Sequence, residues 1–341
     1  MVVAKKYVIQ KHRSGLLQPE DVKIVEEELP ELKEGEFLAQ AHFISIDPYI
    51  QYLIHDEEKH PVGSTIPGTQ IALIYDSKNP KFPIGKYIYG NFGMRTYTIG
   101  PLKDDDPYGM PPQYILPDFN SYPYSYGLGI LGMPGITANK GFLGLCKPQP
   151  GETVVVTTAA GAVGSVVGQI AKIKGCRVVG IAGSDEKGKW LVDVLGFDKF
   201  INYKRPDFAK KLKDAAPDGI DCYFDNVGGE ISSIILSQMN KFGRISVSGS
   251  ISAHNVESGE EPKASIVQRH LVLRQLKMEG FMVTRWRDEW FEIINQNLQW
   301  LREGKLKYKE HIVCGFDNFP KAVVDLMTGA NTGKVILNVM G

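Results

Sequence analysis

With 341 residues, 43% of them hydrophobic and 23% charged, the chain is long enough for two domains and apolar enough to give each a core. Lysine plus arginine equals aspartate plus glutamate at 39 each, which excludes a global field drawing it to nucleic acid or an anionic membrane. No run reaches the length of a membrane span, residues 1–6 lack a long apolar secretory core, and Cys146, Cys176, Cys222 and Cys314 form no CxxC pair. Reduced thiols in a cytosolic protein are therefore expected.

Residues 1 to about 125 read as β-rich and turn-rich. Strand-length apolar runs at 7–9, 22–25, 37–41 and 71–74 are separated by Gly35, Gly63, Gly68, Gly85, Gly90 and Gly93, the pattern of a compact, partly closed barrel. Within it, Ile46-Asp47-Pro48-Tyr49 sets an aromatic hydroxyl beside a rigid proline turn, so Tyr49 is a candidate to line a substrate pocket. Asp104-Asp105-Asp106-Pro107 and Pro111-Pro112 mark a solvated loop near a boundary.

From about residue 126 the period changes. A helix at 135–143 is expected to lead into a buried strand at 154–157, a turn through Ala159, Gly161 and Gly164, and a helix with its apolar face at Val163, Val166, Val167, Ile170, Ala171 and Ile173. Strands at 177–182, 200–202, 220–224, 243–248 and 276–283 then alternate with helices at 185–195, 208–214, 230–239, 265–274 and 288–302. Such alternation implies right-handed crossovers and an α/β fold with a doubly wound parallel sheet. The last strand, helix and strand, at 310–313, 319–327 and 334–339, fit either an extended sheet or a return to the first domain.

A turn without bulky side chains at a helix N-terminus lets backbone N–H groups approach a pyrophosphate. Gly161, Ala162, Val163 and Gly164 are the candidate cradle. The pattern is Ala-x-Gly-x-x-Gly, lacking the first glycine of the usual fingerprint, and its specificity comes from the strand, turn, helix and second strand around it. That second strand ends in Ile181-Ala182-Gly183-Ser184, with no acidic residue to read a ribose 2′-hydroxyl. A 2′-phosphate suits this end, with Lys187 as counter-charge and Ser184 or Tyr203 as donors, which points to NADP(H). The plainer reading, compatible with the first, is that Asp185 caps the next helix while Lys187 and Lys189 are solvated.

The first domain contains no cysteine and its histidines, His12, His42, His55 and His60, lack ligand spacing, so no metal site is expected. There is no GxSxG elbow, and the cysteines sit in apolar neighbourhoods. Two loops at strand ends open toward a ligand crevice: Asp225-Asn226-Val227-Gly228-Gly229, where Asn226 can bond ribose or phosphate, and 248–254, where His254 can donate a hydrogen bond or carry a proton. A surface histidine and an ordinary turn are the plainer alternatives for these two.

Together, Asp47-Pro48-Tyr49, Gly132-Met133-Pro134-Gly135-Ile136-Thr137-Ala138, the stretch 159–169, Ala182-Gly183-Ser184-Asp185-Glu186-Lys187, Tyr223-Phe224-Asp225-Asn226-Val227-Gly228-Gly229 and Lys241-Phe242-Gly243-Arg244-Ile245 resemble the zinc-independent medium-chain dehydrogenase/reductases that reduce 2-alkenals and 15-oxo-prostaglandins. The resemblance implies a GroES-like, β-rich catalytic domain from residues 1–126 and 304–341, a Rossmann domain from 127–303, a homodimer and a hydrophobic enone or enal substrate. It implies NADP(H) contacts at Gly161, Ala162, Val163, Gly164, Lys187, Tyr203, Asn226, Ser248, Gly249, Ser250, Ile251, Ser252, His254, Phe281, Met282, Val283 and Asn331. It implies catalytic positions at Tyr49 and His254. Three departures stand out: His254 where the family usually has tyrosine, Ile50-Gln51 where Met-Arg usually follows Asp-Pro-Tyr, and Asn139 where tyrosine usually follows Thr-Ala. They cluster on the substrate side. A quinone reductase and a non-catalytic NADPH-binding protein remain as alternatives, separable by turnover of enones, of quinones, or of neither, whereas an adenosylmethionine-binding domain is disfavoured by the Lys187 clamp and the two-domain layout.

Overall fold

The computed structural model describes residues 2–12, 15–104, 106, 109–253 and 266–341. They divide into two compact units, Met1–Gly129 with Glu310–Gly341, and Ile130–Lys309.

The first unit opens with β1 (Val2–Ile9), antiparallel to β2 (Val22–Leu29) with Val2 opposite Leu29 and Ile9 opposite Val22. Next come β3 (Phe37–Ser45), α1 (Pro48–His55), β4 (Gln70–Ser77), β5 (Tyr87–Gly90), β6 (Tyr97–Gly100) and β7 (Gln113–Ile115). Strand β3 pairs with both β4 and β6, and two bulges in its pairing with β4 bend the sheet in the manner of barrels. Pro48 sits in the first turn of α1, where its missing N–H is no loss. That helix buries Ile50, Leu53 and Ile54, and Ile50 and Ile54 join Tyr7, Ile9, Ile44, Ile66 and Met94 in one core. Each such side chain contributes about 1.5–3 kcal/mol.

In the second unit the order is α2 (Met133–Leu145), β8 (Thr153–Val156), α3 (Gly164–Ile173), β9 (Arg177–Ala182), α4 (Asp185–Lys189), β10 (Lys199–Asn202), α5 (Phe208–Ala215), β11 (Ile220–Asp225), α6 (Gly229–Leu236), β12 (Met239–Val247), α7 (Gln268–Arg274), β13 (Lys277–Gly280) and α8 (Trp290–Arg302). The strands form a six-stranded sheet in the order β10-β9-β8-β11-β12-β13, every pairing parallel. All residues of β8 are buried, as a central strand covered on both faces requires.

Several bounds differ from the expected ones. The helix expected to reach Met239 stops at Leu236, because buried Met239 pairs with Ile220 and opens β12. The strand expected over 276–283 shortens to β13, since its pairing ends with Gly280 opposite Val247. After it, Val283–Glu289 forms a 3-10 turn that delays α8 to Trp290. The helix expected from residue 185 to 195 leaves α-geometry after Lys189 for one π turn, Trp190–Val194. Of the helix expected over 265–274, Ser265 lies outside the described residues.

The chain then returns to the first unit as β14 (Glu310–Cys314), α9 (Phe319–Thr328) and β15 (Lys334–Asn338). Strand β15 pairs antiparallel with β3 and carries β14 beside it, completing a seven-stranded sheet. The unit boundaries fall at 129/130 and 309/310 rather than at 126/127 and 304. Lys307 explains part of the shift: its N–H donates to Gln169 Oε1 (2.7 Å) and its carbonyl accepts from Gln169 Nε2 (2.9 Å), which fastens the segment after α8 to α3.

Candidate functional site

Because the sheet of the second unit is parallel, the connections leaving β8, β9, β10, β11, β12 and β13 all open at its carboxyl edge. The strand order reverses between β8 and β11, and such a switch point is where doubly wound sheets form a ligand crevice. The turn after β8 is tight. Gly161 N–H donates to Thr158 O (2.9 Å), and Thr158 itself has a left-handed φ of 47°. A Cβ on Gly164 would lie 2.5 Å from Thr158 O and 2.9 Å from Ala159 Cα, so only glycine lets α3 begin there. Within the turn Ser165 N–H donates to Gly161 O (3.2 Å) and the Val166 and Val167 amides to Val163 O (both 3.0 Å), so the amides of Ala162, Val163 and Gly164, just ahead of them, are the ones placed to meet an anion.

The next two loops are laced to each other. Asp225 accepts from the Val227 and Gly228 amides (both 2.9 Å) and from Ser232 Oγ (2.6 Å). Its carbonyl accepts from Ser248 N (2.8 Å) and Gly249 N (3.3 Å), while Ile251 N donates to Asn226 O (3.3 Å) and Ser252 N to Val227 O (3.1 Å). Ser250 closes the loop, its carbonyl accepting from Ala253 N (2.8 Å). Asn226 Nδ2 donates to Thr157 O (2.8 Å), tying the end of β11 to β8. Phe281 follows β13, but a Cβ on Gly141 would lie 2.4 Å from its ring, and the ring tilts against Trp286, so the side chain is committed to packing. Met282 is exposed and Val283 buried.

At the end of β9, Ser184 occupies the N-cap of α4 and accepts from Lys187 N at 3.3 Å. The expected cap, Asp185, does something else. Its carboxylate is held by Asn202 Nδ2 (2.8 Å) and Arg205 (2.7 Å), and those two bonds lower its pKa. An acidic group beside this strand end is thus engaged elsewhere, and Ser184 keeps its own proton to donate. A Cβ on Gly183 would lie 3.2 Å from both Lys204 Cε and Tyr203 Cε1, so the absent side chain is what lets these two residues close over the corner. Burial, and then the neighbouring Lys204 charge, lower the Lys187 pKa. Two ammonium groups and two hydroxyls converging on a neutral corner suit a doubly charged phosphate. Lys204 was not among the residues expected from sequence; its signal was the basic Lys204-Arg205 pair directly after Tyr203.

In the first unit Tyr49 stands in the first turn of α1, half-buried, with its Oη 3.5 Å from Thr69 Oγ1. Burial, reinforced by the Asp47 charge, pushes its pKa above the ordinary range, so the phenol keeps its proton at neutral pH. The corner before α1 is braced from the last strand: buried Lys334 donates from Nζ to Ile46 O (2.6 Å) and Asp47 Oδ1 (3.0 Å), and Ser45 Oγ donates to the other carboxylate oxygen. Glu310, opposite Lys334 in register, is pushed up by burial and accepts from Ser125 Oγ (2.9 Å). Asn331 is buried with its amide donating to Gly333 O (2.8 Å). His254 lies outside the described residues. The four cysteines are free, and among the described residues no group of three or more His, Cys, Asp or Glu side chains is placed to hold a metal ion.

Comparison with known proteins agrees with this layout. Residues 162–299 match a family model described as zinc-binding dehydrogenase, and 5–105 one described as N-terminal domain of oxidoreductase. Among the described residues no cluster of His, Cys, Asp or Glu side chains fits the zinc ion in the first description. Prostaglandin reductase 1 of Bos taurus is 42% identical over 340 residues, 99% of each chain. The NADPH-dependent curcumin reductase of Escherichia coli (strain K12) is 33% identical over 344 residues, 99% of this chain and 97% of that one. Among solved structures, CurA from Vibrio vulnificus in complex with NADPH superposes with a TM-score of 0.89 at 33% identity, covering 98% of this chain and 99% of that one.

Proposed function

Because the chain belongs to the prostaglandin reductase family of medium-chain dehydrogenase/reductases, we propose that it uses NADPH to reduce the carbon–carbon double bond of α,β-unsaturated aldehydes and ketones, 2-alkenals and 15-oxo-prostaglandin-like molecules among them. One observation carries the reading: the neutral Gly183-Ser184 corner with Lys187, Tyr203 and Lys204 around it and Asp185 engaged by Arg205 and Asn202. That donor set fits a ribose 2′-phosphate, whereas a 2′-hydroxyl is read by an acidic side chain. Backbone amides of Ala162, Val163 and Gly164 hold the pyrophosphate in this reading, while Gly161, its own amide on Thr158 O, contributes the close approach of a residue without a side chain. Asn226, the 248–252 loop, residues 281–283, Asn331 and His254 are assigned the remaining contacts.

When bound, the reduced nicotinamide supplies the hydride that the β-carbon of the conjugated alkene accepts. The chain's own residues manage the oxygen, where negative charge builds up. Tyr49, protonated at neutral pH, donates a hydrogen bond to it, with His254 as the second donor. Losing one such donor costs about 3 kcal/mol of transition-state stabilisation.

Stopped-flow loss of NADPH absorbance on mixing with 2-nonenal or a 15-oxo-prostaglandin tests this directly, and rapid loss is expected with at least one. Tight NADPH binding with neither substrate turned over would end the assignment. Turnover of simple quinones alone would make the chain a quinone reductase, and oxidation by no acceptor a non-catalytic binder.

A cytosolic homodimer is part of the same proposal. Among the described residues no helix is long and apolar enough to cross a membrane. Strand β13 ends its sheet, and among the described residues no strand pairs with its outer edge. Exposed apolar side chains precede and occupy it, with Ile266 at 82%, Val272 at 74%, Leu273 at 66% and Met278 at 37% exposure. An apolar open edge of this kind is normally covered by another chain.

A further inference from the structure

Behind Tyr49 runs a line of polar side chains. Tyr49 Oη lies 3.5 Å from Thr69 Oγ1, Thr69 Oγ1 is 2.8 Å from Asn91 Oδ1, and Asn91 Nδ2 is 3.3 Å from Asp106 Oδ2. Counting protons gives the line a direction. Asn91 donates from its amide nitrogen to Asp106, which turns its amide oxygen, an acceptor only, toward Thr69. Thr69 has a single proton and gives it to Asn91. Its lone pairs are then what it presents to Tyr49, and the one phenol proton points at Thr69 in the resting protein.

The two links differ in strength. The Thr69–Asn91 bond is of ordinary length, whereas the Tyr49–Thr69 contact sits at the long limit and is weak. Thr69 is buried and held by its backbone, its carbonyl accepting from Ser45 N at 2.9 Å. The Asp47 corner before α1 is braced separately by Lys334. The phenol oxygen is thus located from two sides while its proton is only loosely retained.

We propose that Thr69 is a positioning residue for Tyr49: its hydroxyl, aimed by Asn91 and Asp106, holds the phenol at rest and releases the phenol proton to a substrate carbonyl oxygen. The release is a rotation about the phenol C–O bond that exchanges one hydrogen bond for another; no covalent bond is made or broken. This rests on Tyr49 being the donor to the substrate oxygen.

The test is a double-mutant cycle on the full chain, with Tyr49→Phe, Thr69→Val, the pair together, and Thr69→Ser, assayed with NADPH and 2-nonenal. The NADPH dissociation constant is measured alongside by fluorescence titration. Thr69→Val is expected to lower kcat about tenfold while KM and the NADPH constant stay within about twofold, and Thr69→Ser to restore kcat to within about twofold. In the Tyr49→Phe background Thr69→Val is expected to change nothing further. Multiplying losses in the pair, or an unchanged kcat in Thr69→Val beside a lowered one in Tyr49→Phe, overturns the role given to Thr69. A parental kcat in Tyr49→Phe overturns instead the reading of Tyr49 on which it rests. Should Thr69→Val fail to fold, Asn91→Leu removes the group that aims Thr69 and is read by the same criteria.

Discussion

At the end of β9 two ammonium groups, Lys187 and Lys204, meet a corner that has no side chain at Gly183 and whose nearby carboxylate, Asp185, is taken by Arg205 and Asn202. The Asp185–Arg205 pair is exposed on both sides, so it contributes little to stability, and its effect is on which charges the corner presents. Lys204→Ala is expected to weaken binding of adenosine 2′,5′-bisphosphate about tenfold, the loss of one partly screened charge-assisted hydrogen bond. Binding of adenosine 5′-monophosphate should stay within about twofold, since it lacks the group that the lysine holds. Isothermal titration calorimetry measures both, and an equal loss for the two nucleotides would remove Lys204 from the phosphate site. Lys187 was legible in sequence because it follows the strand end at once. Lys204 was not, because its role depends on β10 lying beside β9 with Asn202 opposite Ala182.

Among the elements, the turn from β8 into α3 has the narrowest tolerance. Gly164 and Gly161 look alike in sequence and differ in space. A Cβ at 164 meets backbone at 2.5 Å, which cannot give way, and at 161 at 3.2 Å, which can shift by tenths of an ångström. Gly164→Ala should therefore destabilise the second unit by about 1–3 kcal/mol and Gly161→Ala by clearly less. Thermal unfolding followed by circular dichroism would read this as a drop of about 2–4 °C per kcal/mol for Gly164→Ala. Equal melting temperatures for the two variants would contradict the geometry. The same element scale explains where the expected bounds slipped. Met239 carries helix-compatible propensity, yet pairing with Ile220 makes it the first residue of β12. Ser184 takes the cap because its hydroxyl reaches Lys187 N, while Arg205, twenty residues downstream of Asp185, draws that carboxylate away.

For the whole molecule, the open edge of β13 and the apolar side chains around α7 carry the proposal of a two-fold assembly. Sedimentation equilibrium should give twice the chain mass. Val272→Glu with Leu273→Glu should shift it to the monomer, because burying two carboxylates in an apolar interface without partners is costly. A monomeric parent chain would remove the proposal, and a dimer unaffected by the two glutamates would move the interface elsewhere. The return of the chain to the first unit also belongs to this scale. Lys334 sits 287 positions from Asp47 and still braces it, so the corner carrying Tyr49 depends on the last strand.

The doubly wound sheet, the glycine turn and the neutral end of β9 were readable along the chain, because each follows from local periodicity or from small residues in a row. Patterning alone left open whether the last strands extend that sheet or join the first unit, because β14 and β15 satisfy either edge equally well in one dimension. What folding alone decided are the juxtapositions made by distant segments: Lys204 over Gly183, Lys334 on Asp47, and the line from Tyr49 through Thr69 and Asn91 to Asp106. Hydrogen-bond partners separated by tens or hundreds of residues leave no spacing to read, since what joins them is sheet pairing and core packing.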